Sequence, residues 1–212
     1  MSKVRVSISI SLDGYASGPD QRLEEPLGTG GEHLHDWVVV LRAWREAHGR
    51  EGGEENASSP ISRGMAENVG ATVMGRNMFG GGPGPWGDDP WKGWWGDEPP
   101  FHHPVFVVTH HDREPLELSD TTFHFVTGGI ESALEQAREA AGSEDVAVAG
   151  GATTVNEYLR AGLLDEVLVS ITPILLGGGS RLFDDLGDAR PDLEPVEVVD
   201  APGVTHIRYR VS

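Results

Sequence analysis

Three short clusters in this sequence carry residue types suited to holding phosphate, and each follows a run of small or branched apolar residues. Val73-Met74-Gly75-Arg76-Asn77 presents a glycine, where backbone can approach a ligand closely, and then a guanidinium that can clamp a phosphate. Val107-Val108-Thr109-His110-His111 presents a hydroxyl and two imidazoles, suited to an anion such as a ribose 2′-phosphate. A plain solvated loop is the competing reading there. In the third cluster the run Val146 to Ala149 meets Gly150-Gly151 and then Ala152-Thr153-Thr154-Val155. That pattern is a strand, a glycine pair and a helix start, and the free N–H groups of a helix N-terminus favour pyrophosphate. Thr153 and Thr154 serve either as helix cap or as phosphate donors. A formal G-x-G-x-x-G at Gly82, Gly84 and Gly87 is set aside, because prolines fill its variable positions and no strand precedes it. Paired His110 and His111 do not read as a metal site, since adjacent side chains rarely face one ion and no other ligand motif is present.

These clusters need a sheet to align them. Val4 to Leu12 alternates apolar with Arg and Ser and reads as a strand ending at the turn Asp13-Gly14. Further strands are expected at Ala71–Met74, Val105–Thr109, Thr122–Val126, Val146–Ala149 and Val167–Leu176, the last interrupted by Pro173. Pro195–Val199 and Val204–Val211 read as a closing hairpin around a four-residue loop, 200–203. Helices are expected at His35–His48, Pro60–Asn68 with Ser59 as cap, Ile130–Ala141, and Thr153–Ala161 stopped by Gly162. Alternating strands and helices imply a three-layer α/β domain with a mostly parallel sheet, helices on both faces and an antiparallel hairpin at one edge. In such sheets ligands bind outside the carboxyl ends of the strands, where all three clusters lie.

Composition narrows the function classes. With 34 acidic and 16 basic residues the net charge is −18, which disfavours a nucleic-acid partner. The absence of Cys excludes disulfides, thiolate metal sites and a thiol nucleophile. No apolar run approaches the ~20 residues a membrane span needs. The chain opens directly on strand patterning, so the cytoplasm is the expected compartment. All 212 residues are read as one domain, with long insertions at about 19–70 and 80–104. No arrangement of nucleophile, base and oxyanion donors points to a hydrolase.

Taken in order, Leu12-Asp13-Gly14-Tyr15-Ala16-Ser17, Val73-Met74-Gly75-Arg76, Val107-Val108-Thr109, Gly150-Gly151 and Pro173-Ile174-Leu175-Leu176-Gly177-Gly178-Gly179 resemble the dihydrofolate reductase superfamily. The Ser-Leu-Asp-Gly opening and the Pro-x-Leu-Leu-Gly-Gly-Gly segment place the resemblance closest to the C-terminal reductase domain of the bacterial riboflavin-biosynthesis deaminase/reductase, here as a free-standing paralogue. The resemblance covers nearly the whole chain. It implies an eight-stranded sheet, NADPH as cofactor, hydride transfer to a small heterocyclic substrate and a homodimer. The implied substrate is a ribosylaminopyrimidine; a folate-type or broad-specificity reductase and a non-catalytic NADPH-binding module are the alternatives. By similarity Ala16 lies beside the nicotinamide, while Gly75, Arg76 and Asn77 meet the cofactor phosphates. Thr109, His110 and His111 surround the 2′-phosphate. Gly150 and Gly151 form a cis peptide, with Ala152, Thr153, Thr154 and Val155 on the pyrophosphate. Met78 departs from the family, which often has Thr there.

Asp36, near the start of a helix, is the first candidate for proton relay, with a helix-dipole role as its alternative. Asp13 is the second, although Asp-Gly after a strand is usually a turn. His35, Trp37, Trp86, Leu176 and Gly177 are the expected substrate contacts. Trp86, Trp91, Trp94 and Trp95 crowd into ten residues and suit an aromatic wall for a flat ring, a packed loop or a subunit interface equally.

Overall fold

β1 (Val4–Ser11) is the strand around which the rest is arranged. Its alternation buries Val4, Val6 and Ile10 on one face, and it pairs in parallel with a neighbour on each side. The computed structural model describes residues 2–82, 84–88 and 90–212. Met1, Asp89 and Pro83, one of the prolines in the Gly82–Gly87 pattern, lie outside them.

After β1 come β2 (Tyr15–Ser17), a 3₁₀ turn (Gly31–His35), α1 (Asp36–Val39), α2 (Arg42–Ala47) and α3 (Ser58–Ala66). Then follow β3 (Val69–Gly75), α4 (Arg76–Phe79), β4 (Val105–Val108), β5 (Leu116–Leu118), β6 (Thr121–Val126), α5 (Gly129–Ala141), β7 (Asp145–Gly150) and α6 (Ala152–Arg160). The chain closes with β8 (Glu166–Thr172), β9 (Ser180–Arg181), β10 (Leu193–Ala201) and β11 (Val204–Val211). Among the described residues one nine-stranded sheet runs in the order β10-β11-β8-β1-β7-β3-β4-β6-β5. The six strands from β8 to β6 are mutually parallel; β5 and the β10–β11 hairpin are antiparallel edges. The strand beyond the implied eight is the three-residue β5. β2 and β9 form a separate small ladder.

Departures from the expected elements have local causes. The single helix expected over residues 35–48 is broken at Leu41, whose backbone is extended and bridges to Glu54. Arg42 N donates to Glu54 O and Glu54 N to Val40 O, so the loop claims the groups a continuous helix would use. The preceding Val38-Val39-Val40 run is β-branched and gains little from helix. α3 starts at Ser58, ahead of Ser59, because Asn56 Oδ1 accepts from Ser58 N. β8 stops at Thr172, just before Pro173. The closing hairpin is longer than expected and turns on Pro202-Gly203 alone, with Gly203 at φ +73°.

One face of the sheet is covered by α5 and α6, which bury Leu134, Ala137, Val155, Tyr158 and Leu159 against β1, β3, β7 and β8. The opposite face is covered in two parts. α1 and its neighbours place Trp37, Val38 and Leu41 near Val204 of β11. Over β3, β4 and β6 the short α4 contributes Phe79, and Trp86, Trp91, Trp95 and Phe101 pack there with it against Phe123 and Phe125. The Trp-rich insertion therefore serves as the second covering layer on that half.

Candidate functional site

The carboxyl ends of the parallel strands open into a cavity of about 900 Å³. Its two walls come from two halves of the sheet. On the β7–β3–β4 side it is lined by Gly75, Arg76, Asn77, Thr109, His110, His111, Gly151, Ala152, Thr153 and Thr154. On the β1–β8 side Ala16, Ser17, Leu27, His35 and Trp37 line it. The structure thus brings the three clusters into one concave surface and places His35 and Trp37 opposite them.

The turn from β7 to α6 is built for close approach. The Gly150–Gly151 peptide is cis, Gly150 has φ +116°, and α6 begins at Ala152 with no side chain capping it. Its first-turn N–H groups, at Ala152, Thr153 and Thr154, are the orphan donors of a helix start. Val155 is fully buried, so its side chain packs into the core, and Gly150 does not line the cavity. Gly75, on β3, lies against Thr154: an added Cβ would collide with Thr154 Oγ1. Glycine at that position therefore lets the β3 end and the α6 start share one surface.

Arg76 follows on α4. Its Nε and one Nη donate to Gly82 O at 3.1 and 2.9 Å, while Nη1 is buried with no partner. Burial first, and the neighbouring Arg113 second, lower its pKa to about 10, which leaves it cationic at neutral pH. The guanidinium lies 3.0 Å from the Trp86 ring centre, and Arg113 approaches the same ring at 4.8 Å. Trp86 Nε1 donates to His111 O at 2.9 Å. Trp86, an expected substrate contact, does not line the cavity; it ties the Arg76 segment to the Thr109–His111 segment. Thr109 Oγ1 accepts from His111 N and shapes that loop. Trp94 and Trp95, by contrast, do line the cavity.

Neither candidate proton donor reaches the cavity. Asp36 is 69% exposed and its carboxylate sits 3.0 Å from His33 Nδ1, whose pKa it raises. Asp13 accepts from Ser11 Oγ, Leu176 N and Gly177 N at 2.6, 3.1 and 2.7 Å. Those bonds, Ser11 foremost, lower its pKa to about 2. Asp13 is thus a permanent carboxylate that anchors the glycine-rich loop. The same bonds occupy the backbone N–H groups of Leu176 and Gly177, and neither of these expected substrate contacts lines the cavity. The loop in turn presses on β2: an added Cβ at Gly179, which has φ +113°, would overlap Ser17 O.

Sequence reasoning passed over two groups. Ser17 is only 5% exposed, lines the cavity, and its Oγ has no partner. Arg113 holds the far side of Trp86 and donates to Trp91 O at 2.6 Å. Ser17 carried a signal, as it directly follows Ala16; Arg113 carried none. His35 Nδ1 is likewise buried without a partner, and burial lowers the His35 pKa. Among the described residues no group of three or more His, Asp or Glu is placed to hold a metal ion, and no helix is long and apolar enough to cross a membrane.

The family model described as the RibD C-terminal domain matches residues 2–206. The Bacillus subtilis protein YwjB is 29% identical over 72 residues, 34% of this chain and 41% of YwjB. The riboflavin biosynthesis protein RibD of Mycobacterium tuberculosis is 39% identical over 54 residues, 26% of this chain and 16% of RibD. Each match therefore spans less than half of the curated relative. Among solved structures, a Shewanella sp. PV-4 protein named for riboflavin biosynthesis superposes with TM-score 0.65 at 22% identity, covering 99% of both chains. The Thermotoga maritima diaminohydroxyphosphoribosylaminopyrimidine deaminase/5-amino-6-(5-phosphoribosylamino)uracil reductase superposes with TM-score 0.60 at 15% identity, covering 100% of this chain and 57% of that one. At these identities the likeness is one of fold.

Proposed function

The chain belongs to the RibD C-terminal domain family, and from that premise we propose that it is an NADPH-dependent reductase of a small heterocyclic substrate. The observation that carries this reading is the convergence of an uncapped helix start, at Gly151–Thr154, with the Arg76 guanidinium, which has no carboxylate partner among the described residues, on one wall of a cavity at the strand ends. Orphan N–H donors and a buried cation without a counter-charge fit a pyrophosphate. Thr109, His110 and His111 lie on the same wall and are assigned to the adenosine 2′-phosphate. Asn77 adds an exposed amide beside Arg76.

With the phosphates on that wall, the nicotinamide falls toward Ala16, at the boundary between the two halves. The bound cofactor supplies the hydride. The chain's own part is to hold the acceptor carbon against that ring and to keep water away, which the apolar wall of buried Trp37 and half-buried Leu27 favours. Among the described residues His35 is the only side chain with a titratable group on the β1–β8 wall. Burial keeps its imidazole neutral at pH 7, so one ring nitrogen donates and the other accepts. His35, rather than Asp36 or Asp13, is therefore the residue assigned to the proton side of the reaction.

Titration of the protein with NADPH, followed by quenching of Trp fluorescence, tests this reading, with NADH in parallel. Trp94 and Trp95 line the cavity and report on its occupancy. Saturable quenching by NADPH, weaker with NADH, is the expected result. Absence of quenching by both defeats the reductase reading and leaves a borrowed fold.

A further inference from the structure

The reductase from Thermotoga maritima is named for a substrate bearing a phosphoribosyl group. A phosphate monoester carries close to two negative charges at neutral pH and is held in proteins by Arg, Lys or clustered N–H donors. In this chain the cations of the cavity are unevenly placed. Among the described lining residues only Arg76 and Arg160 carry a permanent positive charge, and both belong to the α4 and α6 side assigned to the cofactor. On the β1–β8 wall there is none.

The nearest cations on neighbouring segments are already engaged. Arg22 pairs with Glu25 at 2.9 Å. Arg181 lies over the Tyr15 ring and donates to Tyr15 Oη at 3.0 Å. Arg160 itself pairs with Asp185 at 3.7 Å. Carboxylates flank His35, Glu32 on its turn and Asp36 at the start of α1, and the chain as a whole carries −18. An added dianion would meet a repulsive field with no lining cation on this wall to offset it.

What this wall does present is polar and uncharged. Ser17 Oγ is an unpartnered hydroxyl on a residue 95% buried, and His35 Nδ1 is an unpartnered ring nitrogen. Each buried polar atom left unbonded is costly, so both gain a bond when the side chains, whose residues line the cavity, turn to a ligand group there. A hydroxyl and a neutral imidazole match the alternating N–H and C=O edge of an amide- or imide-containing ring, and Trp37 supplies an apolar wall beside them.

We propose that the substrate is an uncharged ring with an amide- or imide-like edge and no phosphate, recognised by Ser17 and His35. The inference rests on the reductase reading and refines its substrate.

The test uses the full chain, first shown to bind NADP⁺ by Trp quenching; failure at that step overturns the cofactor reading and this inference together. With NADP⁺ saturating, the His35 imidazole resonance is followed by NMR during titration. The probes are uracils, pterins and lumazines, a ribosylaminopyrimidine with and without its 5-phosphate, and inorganic phosphate. At least one neutral ring is expected to shift the resonance saturably, and each phosphorylated compound to bind at least ten-fold more weakly than its dephosphorylated partner. Gln21→Arg, an exposed change at the rim of this wall, is expected to narrow that gap while leaving the neutral rings unchanged. The inference is overturned if phosphate or a phosphorylated compound binds as tightly as the neutral form. It is equally overturned if no neutral ring moves the His35 resonance while NADP⁺ binds.

Discussion

Replacing Gly75 by Ala tests whether the β3 end and the α6 start form one cofactor surface. Gly75 has ordinary backbone angles, φ −77° and ψ 156°, so the added methyl meets no conformational strain. It meets Thr154 Oγ1, which must retreat by about 1 Å to regain van der Waals separation. Thr154 Cβ, at 3.6 Å, is already at an ordinary distance. The hydroxyl alone is therefore the obstacle. Overpacking of this kind costs about 2 kcal/mol, equivalent to a Tm lower by about 4–8 °C for a chain of this size. Because Thr154 sits in the first turn of α6, its displacement also moves the N–H groups, and NADPH affinity is expected to fall about ten-fold. The second variant, Gly75→Ala/Thr154→Ala, removes the obstacle and is expected to regain most of the stability, a coupling of about 1–2 kcal/mol in a double-mutant cycle. Thermal unfolding and Trp-quenching titrations of the four proteins give both numbers. The reasoning is refuted if the double variant is no more stable than Gly75→Ala alone.

Three further outcomes follow from the same geometry. Trp86→Phe keeps a ring under Arg76 but loses the bond to His111 O; NADPH affinity should fall about three- to ten-fold, and further in Trp86→Ala, as measured by isothermal calorimetry. Asp13→Ala frees the Leu176–Gly177 backbone and should lower kcat/KM about 10- to 100-fold; because Asp13 is ionised down to about pH 2, no step in the pH–rate profile near neutrality should vanish in that variant. His206 is 1% exposed and held between Ser58 Oγ and Ser170 Oγ, and burial lowers its pKa to about 4. The unfolded chain takes up that proton near pH 6.5, so stability should fall as pH drops from 6.5 to about 4, by about 3 kcal/mol, and then level off. Urea midpoints against pH in His206→Gln should lose that slope; an unchanged slope would assign it to other groups.

The legible parts of this molecule are those where one side chain in two must be buried. β1, β4, β6, β7 and α5 were readable because Val, Ile, Leu and Ala recur at periods of 2 or 3.6 along them. The wall proposed for the cofactor was placed with them, since its residues stand one to five places beyond an expected strand, where geometry leaves little choice. The segment from Pro19 to Ala57 had no such anchor. There the 3₁₀ turn, the break at Leu41 and the bridge to Glu54 are decided by contacts between residues far apart in sequence. Asp36 does stand at a helix start, but its carboxylate turns to solvent and to His33. The Trp cluster could not be assigned by composition, because the same rings both cover the β3–β4–β6 face and line the cavity.

This division has a consequence for function. Phosphate recognition uses backbone N–H groups and glycines, whose placement follows from strand and helix ends, so it leaves a mark in short motifs. The substrate recognition we propose uses Ser17 and His35, which sit where the glycine-rich loop presses against β2 and in the turn at Gly31–His35. Asp13 joins the two, because its carboxylate holds the Leu176–Gly177 backbone while its turn connects β1 to β2, which carries Ala16 and Ser17. A change at Asp13 should therefore disturb the substrate wall and spare the phosphate wall. KM for substrate and kcat should move in Asp13→Ala while NADPH affinity stays within about two-fold of wild type, a difference of less than ~0.5 kcal/mol. A parallel loss of NADPH affinity would show instead that the two walls are one mechanical unit.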